Sequence, residues 1–539
     1  MRLISPDTLR ARLRGKREHA ILDVRREGDY AKGHLFFASN VPRSILELRI
    51  EQLVPRVDTP ITIAAKGLHA DDVGDVLARY GYTNVCALDG ENDGWTATGG
   101  QLFAGLNVPS KAFGEFVEIE ADTPHVSPEE LERLLHNGET IMVLDSRPFA
   151  EYQVMSIPGA INCPGAELVY RFFENVPSPQ TTVVVNCAGR TRSIIGAQSL
   201  IDANVPNRVI ALRDGTMGWH LAGFKLDHGK DRRAARPGSR GLSEARALAS
   251  RRAERAGVES LTPEQCNDLL ARNDRRTTYL FDVRDPLDYA EGHRCGAVSA
   301  PGGQLVQTLD TFAAVHNARF ILCDSDGVRA PMTATWLKQM GIRDVFTVCD
   351  DVPTSTGVPV APKAETLLKD APVVGLNDAE ALRLAGCRVL DFGTSKDYRH
   401  AHIAGALFTE RHDAKDTAGR TGGKLILTSP DGRLARLVAG ELHGQGLQAF
   451  AIEGGTAAWI AAGLPVESGP GNLPERPTDV FYRPYDLTVA AEDAMREYLD
   501  WEKGLLDHII DEPGVAFARE PSSLSQRRLF SEVYNKAKS

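Results

Sequence analysis

The strongest chemical signal in the sequence is a cysteine at the start of a short polar loop. Cys187 follows an apolar run, Thr182–Asn186, that is typical of a buried strand, and a helix-like stretch begins near Ser193. At such a junction several backbone N–H groups converge, and the helix N-terminus adds positive partial charge. These surroundings favour the thiolate, the nucleophilic form of cysteine. We therefore predict that Cys187 is a nucleophile with a depressed pKa, beside a cradle for a small anion.

The other residues of the loop fit this chemistry. We expect Arg192 to open the following helix and to point inward beside the thiolate. Arg190 is expected at the crest of the loop, nearer to solvent and to an incoming anion. No histidine occurs in the loop, which separates it from papain-like Cys–His hydrolases. The residues predicted to contact the anion are Ala188, Gly189, Arg190, Thr191, Arg192 and Ser193.

Several nearby residues have predicted supporting roles. Asp145 and Arg147 are interpreted as a structural ion pair that ties the end of a strand to the loop. Trp219 is expected to pack in the core, and a position that lines the substrate pocket is the alternative. For Arg171 two interpretations stay open, a contact with an anionic substrate and a position on a solvated helix face.

One sequence pattern occurs four times along the chain. Each copy opens with an apolar run that ends in Asp, and a tyrosine preceded by an acidic residue stands seven positions later. Three copies carry a histidine eleven positions after the Asp, and we expect no catalytic role for it because those copies lack the cysteine. The residues are Asp23, Asp145, Asp282 and Asp391; Tyr30, Tyr152, Tyr289 and Tyr398; and His34, His293 and His402.

The order of predicted elements indicates the fold. Apolar strands alternate with helices in every copy, which predicts an α/β fold with a parallel sheet covered by helices on both sides. The four domains are placed at residues 1–105, 123–228, 258–355 and 372–468.

The remaining segments are a connector and a tail. Residues 229–257 are rich in Arg and Ala and are predicted to be a solvated basic connector, with a helix after Ser243 as N-cap. Residues 469–539 are predicted to be a helical tail. Its apolar stripe should dock on a domain or join a second subunit as a homo-oligomer, and it consists of Met495, Tyr498, Leu499, Leu505, Leu506 and Ile509.

These motifs resemble the rhodanese (thiosulfate sulfurtransferase) family. The Asp-x-Arg starts, the Cys187 loop and the Gly-x-x-x-Trp close at Gly215 to Trp219 carry the resemblance. The four copies together resemble multidomain bacterial rhodanese-related sulfurtransferases, and the tail is not covered. The resemblance implies that Cys187 takes a sulfane sulfur as a persulfide from a small anionic donor, such as thiosulfate, 3-mercaptopyruvate or another persulfide. It then implies transfer to a thiol or cyanide, with no cofactor and no metal.

A single copy keeps the reactive cysteine. The same spacing places Ala65 in the first copy and Asp324 in the third, and alignment of the loop glycines places Ser429 in the fourth. These three domains are predicted to be catalytically inactive. Cys323 stands one position before the expected place and should point into the core, which makes it the main rival for a second reactive thiol.

Composition argues against several classes of protein. A chain of 539 residues predicts about four domains, and 42% apolar with 25% charged residues is typical of a globular protein. The net charge of -10 argues against nucleic-acid and anionic-membrane partners. No stretch approaches the ~20 apolar residues of a membrane span, so the expected location is the cytoplasm. Eight scattered cysteines without a CxxC pair argue against a zinc knuckle or a disulfide framework.

Two other functions stay open. Rhodanese-like copies that bind partners without turnover would make the chain a scaffold or a regulatory module. The family also shares its fold with dual-specificity phosphatases, so a phosphatase or an arsenate reductase is a third reading. Those phosphatases use Cys-x5-Arg, whereas Cys187 to Arg192 is Cys-x4-Arg. The shorter loop suits a single sulfur atom.

Overall fold

The computed structural model describes residues 1–67, 71–272, 274–350, 355–357, 361–487 and 489–519. These residues form two compact units. The first unit holds residues 1–6, 20–106 and 361–481, and therefore the first and fourth predicted domains. The second unit holds residues 7–19, 107–357 and 482–519, and therefore the second and third domains and the tail. No helix in the described ranges is long and apolar enough to cross a membrane.

The first domain alternates short strands and helices, as its sequence predicts, although its first helix is grouped with the second unit. Its elements are β1 (Arg2–Ile4), α1 (Pro6–Arg14), β2 (His19–Asp23), α2 (Glu27–Tyr30), β3 (Ser39–Asn40), a 3-10 helix (Arg43–Ile45), α3 (Leu46–Leu53), β4 (Ile61–Ala65), α4 (Val73–Arg79), β5 (Val85–Leu88) and α5 (Glu91–Ala97).

A connecting helix precedes the second domain, which contains the Cys187 loop. These elements are α6 (Val108–Ala121), β6 (His125–Val126), α7 (Pro128–His136), β7 (Ile141–Asp145), α8 (Phe149–Val154), β8 (Ile161–Asn162), α9 (Glu167–Asn175), β9 (Thr182–Asn186), α10 (Thr191–Ala203), β10 (Val209–Leu212) and α11 (Gly215–Leu221).

A second connecting helix leads to the third domain, which repeats the pattern. These elements are α12 (Ser239–Arg255), β11 (Glu259–Leu261), α13 (Pro263–Ala271), β12 (Thr278–Asp282), α14 (Pro286–Glu291), β13 (Val298–Ser299), α15 (Gly302–Gln307), α16 (Leu309–Phe312), β14 (Val315–His316), β15 (Arg319–Asp324), α17 (Arg329–Gln339) and β16 (Val345–Cys349).

The fourth domain and the tail complete the described chain. Their elements are α18 (Pro362–Lys369), β17 (Val373–Val374), α19 (Leu376–Leu384), β18 (Arg388–Asp391), α20 (Ser395–His400), β19 (His402–Ile403), β20 (Leu407–Phe408), a 3-10 helix (Arg411–Asp413), α21 (Ala414–Thr421), β21 (Leu425–Thr428), α22 (Arg433–Gly444), β22 (Ala449–Ile452), α23 (Gly455–Ala461), β23 (Val466–Glu467), a 3-10 helix (Pro484–Asp486) and α24 (Ala491–Ile509).

Every domain contains a parallel sheet with the same strand order. The orders are β1-β5-β4-β2-β3, β6-β10-β9-β7-β8, β11-β16-β15-β12-β13 and β17-β22-β21-β18-β20. The central strands are apolar on both faces; β9, for example, is buried along its whole length. Helices must therefore cover both faces of each sheet, and the predicted α/β fold is confirmed.

The repeated tyrosines and histidines are structural elements of each domain. Each tyrosine hydroxyl donates a hydrogen bond of 2.7 to 2.9 Å to the carbonyl eight residues later. The three histidine rings stack on the tyrosine rings at centroid distances of 3.7 to 3.8 Å. The repeated spacing of these tyrosines and histidines is therefore explained by hydrogen bonding and packing within each domain.

The connector differs from its prediction. Helix α12 begins at Ser239 with Gly238 as N-cap, so the predicted start after Ser243 is wrong. Ala245 and Ala249 are fully buried in the core of the second domain. Because alanine is small, it lets the helix backbone approach α9 and α17, with which α12 makes extensive contact.

The charge of the connector is also partly buried. Arg252 is 1% exposed, and its guanidinium donates a hydrogen bond of 3.0 Å to Asp202. The segment is therefore a packed helix rather than the solvated connector that its composition indicated.

The tail helix α24 buries its apolar stripe inside the chain. Met495, Leu499 and Leu505 are at most 5% exposed, and α24 packs along α6. Met217, beside the Cys187 loop, joins the same apolar cluster. The stripe therefore docks within the chain, which is one of the two outcomes that the sequence predicts.

Candidate functional site

Cys187 lies where β9 ends and the loop to α10 begins. Its side chain is 2% exposed, and its Sγ lies 3.1 Å from Ser193 Oγ in the first turn of α10. The helix starts at Thr191, two residues before the predicted Ser193. The thiol is thus held at the N-terminal end of a helix of 13 residues, as the strand–loop–helix pattern predicts.

A tight turn at the start of α11 holds the loop from the other side. Thr216 donates to the carbonyl of Cys187 from its backbone N–H at 2.8 Å and from its hydroxyl at 2.9 Å. Gly215 has a φ of +55°, and a Cβ there would lie 2.4 Å from the carbonyl oxygen of Cys187. A side chain at this position would displace the loop, which explains the glycine.

Asp145 and Arg147 form the ion pair that the sequence predicts. The Arg147 guanidinium donates to both carboxylate oxygens at 2.9 and 2.6 Å, and both side chains are at most 1% exposed. Arg147 also donates to the carbonyl of Met155 at 2.6 Å, and Asn186 donates to Asp145 at 3.2 Å. The pair therefore anchors the ends of β7 and β9 below the loop.

Arg192 is the loop cation that acts on the thiol. Its guanidinium binds both carboxylate oxygens of Glu151, at 3.0 and 2.8 Å. Burial alone would raise the pKa of Glu151, but the charges of Arg192 and Arg483 hold it at about 2. Burial raises the pKa of Cys187, and the positive charge of Arg192 acts in the opposite direction, in favour of the thiolate.

Arg190 does not occupy the solvent-facing crest that the sequence predicts. It is 7% exposed and donates to both carboxylate oxygens of Glu115 at 2.7 Å. Glu118 and Asp214 also pair with it. The reason is that α6 packs across the loop, so this guanidinium is neutralised by carboxylates and is not available to a substrate anion.

Replacement of Arg190 by alanine should therefore act on stability. It leaves the buried Glu115 without its cation, and removal of one partner of a buried pair costs about 3 to 5 kcal/mol. Thermal unfolding of Arg190→Ala should show this loss. The double variant Arg190→Ala with Glu115→Gln should recover part of it, and a double variant no more stable than the single one would contradict the pairing.

The tail helix α24 covers the loop. A Cβ built on Gly189 would lie 3.1 Å from Glu502 Oε2 and 3.6 Å from Leu499 Cδ2. Glu502 is 3% exposed, and its Oε1 accepts a hydrogen bond of 3.1 Å from the Tyr498 hydroxyl. Among the described residues, Glu502 Oε2 has no hydrogen-bond partner, and burial raises the pKa of this carboxyl. A buried carboxylate oxygen therefore lies against the predicted anion cradle.

A lysine of α6 completes the cover. The Lys111 ammonium lies 4.8 Å from the ring centre of Tyr498 and 4.7 Å from that of Trp501. Burial lowers the pKa of Lys111 to about 8, although the charge of Glu502 acts in the opposite direction. The residues that cover the loop thus include a buried amine, Lys111, and a buried acid, Glu502.

The pKa of Cys187 is shifted in the direction opposite to the prediction. Burial raises it, and this outweighs the charge of Arg192 and the hydrogen bonds from Ser193. The sequence showed the loop and the helix but not α24, whose packing removes water from the thiol.

The other predicted residues lie outside the loop. Trp219 is 2% exposed and packs on Phe224 within the core of the second domain. Arg171 pairs with Glu167 at 2.6 Å and is 9% exposed, so it does not lie on a solvated helix face. Cys323 is 2% exposed and lies in the core of the third domain, where burial raises its pKa.

In the third domain, the side chain of Asp324 fills the loop that corresponds to the Cys187 loop. Asp324 accepts hydrogen bonds of 2.8 to 3.1 Å from the backbone N–H groups of Gly327, Val328 and Ala330. In the fourth domain Ser429 Oγ accepts from a backbone N–H at 3.2 Å. Ala65, at the end of β4, offers no reactive group.

Sequence reasoning missed Lys111, Glu115 and Glu502. Lys111 and Glu115 are four residues apart on α6 and therefore share a helix face. Glu502 falls within the apolar stripe of α24 at helical spacing, and an acidic residue at such a position was the available signal. In the described residues no group of three or more His, Cys, Asp or Glu side chains is arranged to hold a metal.

Comparisons with known proteins agree with the repeated fold. The family model described as "Rhodanese-like domain" matches residues 5–98, 127–222 and 262–350. The crystal structure of thiosulfate sulfurtransferase from Pseudomonas aeruginosa is 43% identical, with a TM-score of 0.86 over 96% of this chain and 100% of that one.

A curated relative shares a smaller part. The HTH-type transcriptional regulator Rv0324 of Mycobacterium tuberculosis is 30% identical over 191 residues, which is 34% of this chain and 80% of that protein. Since the family model matches more than half of the sequence, the chain belongs to the family of proteins with rhodanese-like domains.

Proposed function

We propose that the chain is a sulfurtransferase that carries a sulfane sulfur as a persulfide on Cys187. One observation carries the proposal: a cysteine stands at the strand-to-helix loop of one domain, whereas the other three have Ala65, Asp324 and Ser429 there. The likeness to the thiosulfate sulfurtransferase of Pseudomonas aeruginosa supports it.

The reaction takes place in two displacements. The Cys187 thiolate attacks the outer sulfur of thiosulfate, the S–S bond of thiosulfate breaks, and sulfite leaves with the electron pair. A nucleophile such as cyanide then attacks the terminal sulfur of the persulfide, and the Cys187 thiolate leaves. Thiocyanate forms, and no redox partner is needed.

The third domain supports the assignment of an anion cradle to the Cys187 loop. Asp324 occupies the position of Cys187, and its carboxylate accepts from N–H groups of the loop and of the first helical turn. The N–H groups of Arg190 and Ser193 occupy the same positions in the second domain. We infer that they bind the terminal sulfur of the persulfide in the way that their counterparts bind the Asp324 carboxylate.

The alternatives have less support. A phosphatase has less support because the Cys187 loop is Cys-x4-Arg, one residue shorter than the Cys-x5-Arg loop of the phosphatases. A scaffold role for the whole chain does not explain the cysteine loop, but it fits the three domains without the cysteine. The donor is tested by thiocyanate formation with thiosulfate, 3-mercaptopyruvate and glutathione persulfide compared side by side.

The pH dependence of Cys187 alkylation should show the effect of the residues that cover the loop. Because burial raises its pKa, the rate of alkylation by iodoacetamide should rise through a midpoint above the ordinary thiol value. Removal of the Glu502 charge by Glu502→Gln should move the midpoint to lower pH by about 0.5 to 1 unit, since that charge raises the pKa of Cys187. Arg192 and Ser193 act in the opposite direction and are unchanged in this variant.

The matched control is Glu497→Gln, which removes an acidic residue from the exposed face of α24. This variant should keep the wild-type midpoint. Equal shifts in both variants, or a shift of Glu502→Gln to higher pH, would contradict the placement of Glu502 over the loop.

A further inference from the structure

The fourth domain lacks a residue that the other three share. In those domains the strand ends in Asp-x-Arg, but Asp391 is followed by Phe392 and Gly393. Asp391 is 3% exposed, and no ion pair to it occurs among the described residues. The buried carboxylate of Asp391 is therefore present without the arginine that pairs with it in the other three domains.

The missing guanidinium has a well-defined place. In the first three domains the arginine donates from Nε and Nη2 to both carboxylate oxygens of the aspartate, and its Nη2 also donates to the carbonyl ten residues after that aspartate. The latter bonds are Arg25 to Gly33 at 2.7 Å, Arg147 to Met155 at 2.6 Å and Arg284 to Gly292 at 2.6 Å. The equivalent carbonyl in the fourth domain belongs to Ala401, ten residues after Asp391.

A cavity lies between these groups. It has a volume of about 170 Å³, and Asp391, Gly393 and Ala401 line it together with Tyr398, Pro430 and Thr456. An apolar cavity of ~150 Å³ is large enough to bind benzene. The space left by the absent arginine can therefore take a small organic cation.

The charge of the cavity fits such a ligand. The Asp391 carboxylate accepts a hydrogen bond of 2.7 Å from the Gly393 N–H. Burial raises the pKa of Asp391 to about 6, and the charge of Asp397, which also lines the cavity, acts in the same direction. The exposed His400 lines it as well, and the charge of His402 acts in the opposite direction. A bound cation would offset the cost of the unpaired carboxylate.

We propose that this cavity binds a small alkylguanidinium cation, whose planar fork takes the place of the absent arginine between Asp391 and the carbonyl of Ala401. A guanidinium reaches both acceptors with parallel N–H groups, whereas an ammonium presents a point charge. The apolar wall receives the alkyl group.

The test is calorimetric titration of the full chain with methylguanidinium chloride at pH 7.5, where the Asp391 carboxylate is ionised. A Kd on the order of 1 mM is expected. With 10 mM ligand the thermal midpoint of the fourth domain should rise by about 6 to 11 °C. Methylurea, a neutral molecule of similar shape, and methylammonium chloride should bind at least about tenfold more weakly.

Two variants make the result decisive. Asp391→Asn keeps the acceptor of the Gly393 N–H but removes the charge, and it should weaken methylguanidinium binding at least about tenfold. Gly393→Arg should supply the guanidinium from within, raise the thermal midpoint without ligand and abolish binding. Equal binding of methylguanidinium by wild type and Asp391→Asn, or binding of methylurea as tight as that of methylguanidinium, would overturn the proposal.

Discussion

Replacement of Cys187 by serine should lower thiocyanate formation from thiosulfate and cyanide by about 1000-fold or more, because no other described group can carry the sulfur at this loop. Serine is nearly the size of cysteine, so the contact with Ser193 and the hydrogen bonds of Thr216 to the loop carbonyl are retained. Steady-state kinetics with both substrates varied gives the result.

The matched control for this variant is Cys323→Ala. Cys323 is buried in the third domain beside Asp324, whose carboxylate fills the local cradle. Its replacement should leave the turnover number within about twofold of wild type, provided that thermal unfolding shows a folded protein. If Cys323→Ala lost activity and Cys187→Ser retained it, the reaction would take place in the third domain, and the assignment to Cys187 would be contradicted.

Arg192→Ala should cause the second-largest loss. Burial raises the pKa of Cys187, and the charge of Arg192 is the largest effect in the opposite direction; Arg192 also fixes Glu151 through two hydrogen bonds. Loss of a preorganised charge that favours the reacting thiolate costs about 2 to 4 kcal/mol, which is about 30- to 1000-fold in rate. We expect this loss in kcat/KM with every donor and a rise in the alkylation midpoint of Cys187.

Two further variants separate charge from general damage. Arg192→Lys keeps the charge but loses the paired hydrogen bonds, and it should retain an intermediate rate. Arg208→Ala removes an exposed arginine from the same domain and should change little. An unchanged alkylation midpoint in Arg192→Ala would show that Arg192 does not act on the thiol.

The sequence predicted those parts of the site that are formed by residues close together in the chain. The strand, the loop and the helix N-terminus around Cys187 follow from consecutive residues, and so does the Asp145–Arg147 pair. The cover does not. Glu115 on α6 and Glu502 on α24 reach the loop through tertiary packing between segments far apart in sequence. Glu115 holds Arg190 in its buried position, and the burial of Cys187 reverses the expected pKa shift.

The same limit explains the connector and the fourth domain. The alanines of α12 gave no strong periodic signal, yet their small size permits close helix packing on α9 and α17. The absence of arginine at Gly393 is visible in the sequence, whereas the cavity beside Asp391 depends on the surrounding helices and turns. Residue types indicate chemistry, but packing decides which groups are buried, paired or left open.

The central claim is tested most directly by incubation of the protein with thiosulfate, removal of the excess, and intact-mass measurement followed by peptide mapping. The wild type should gain one sulfur atom per chain, on the peptide that contains Cys187, and lose it when cyanide is added. Cys187→Ser should gain none. Sulfur mapped to Cys323, or a stoichiometric sulfur on the Cys187→Ser variant, would contradict the account.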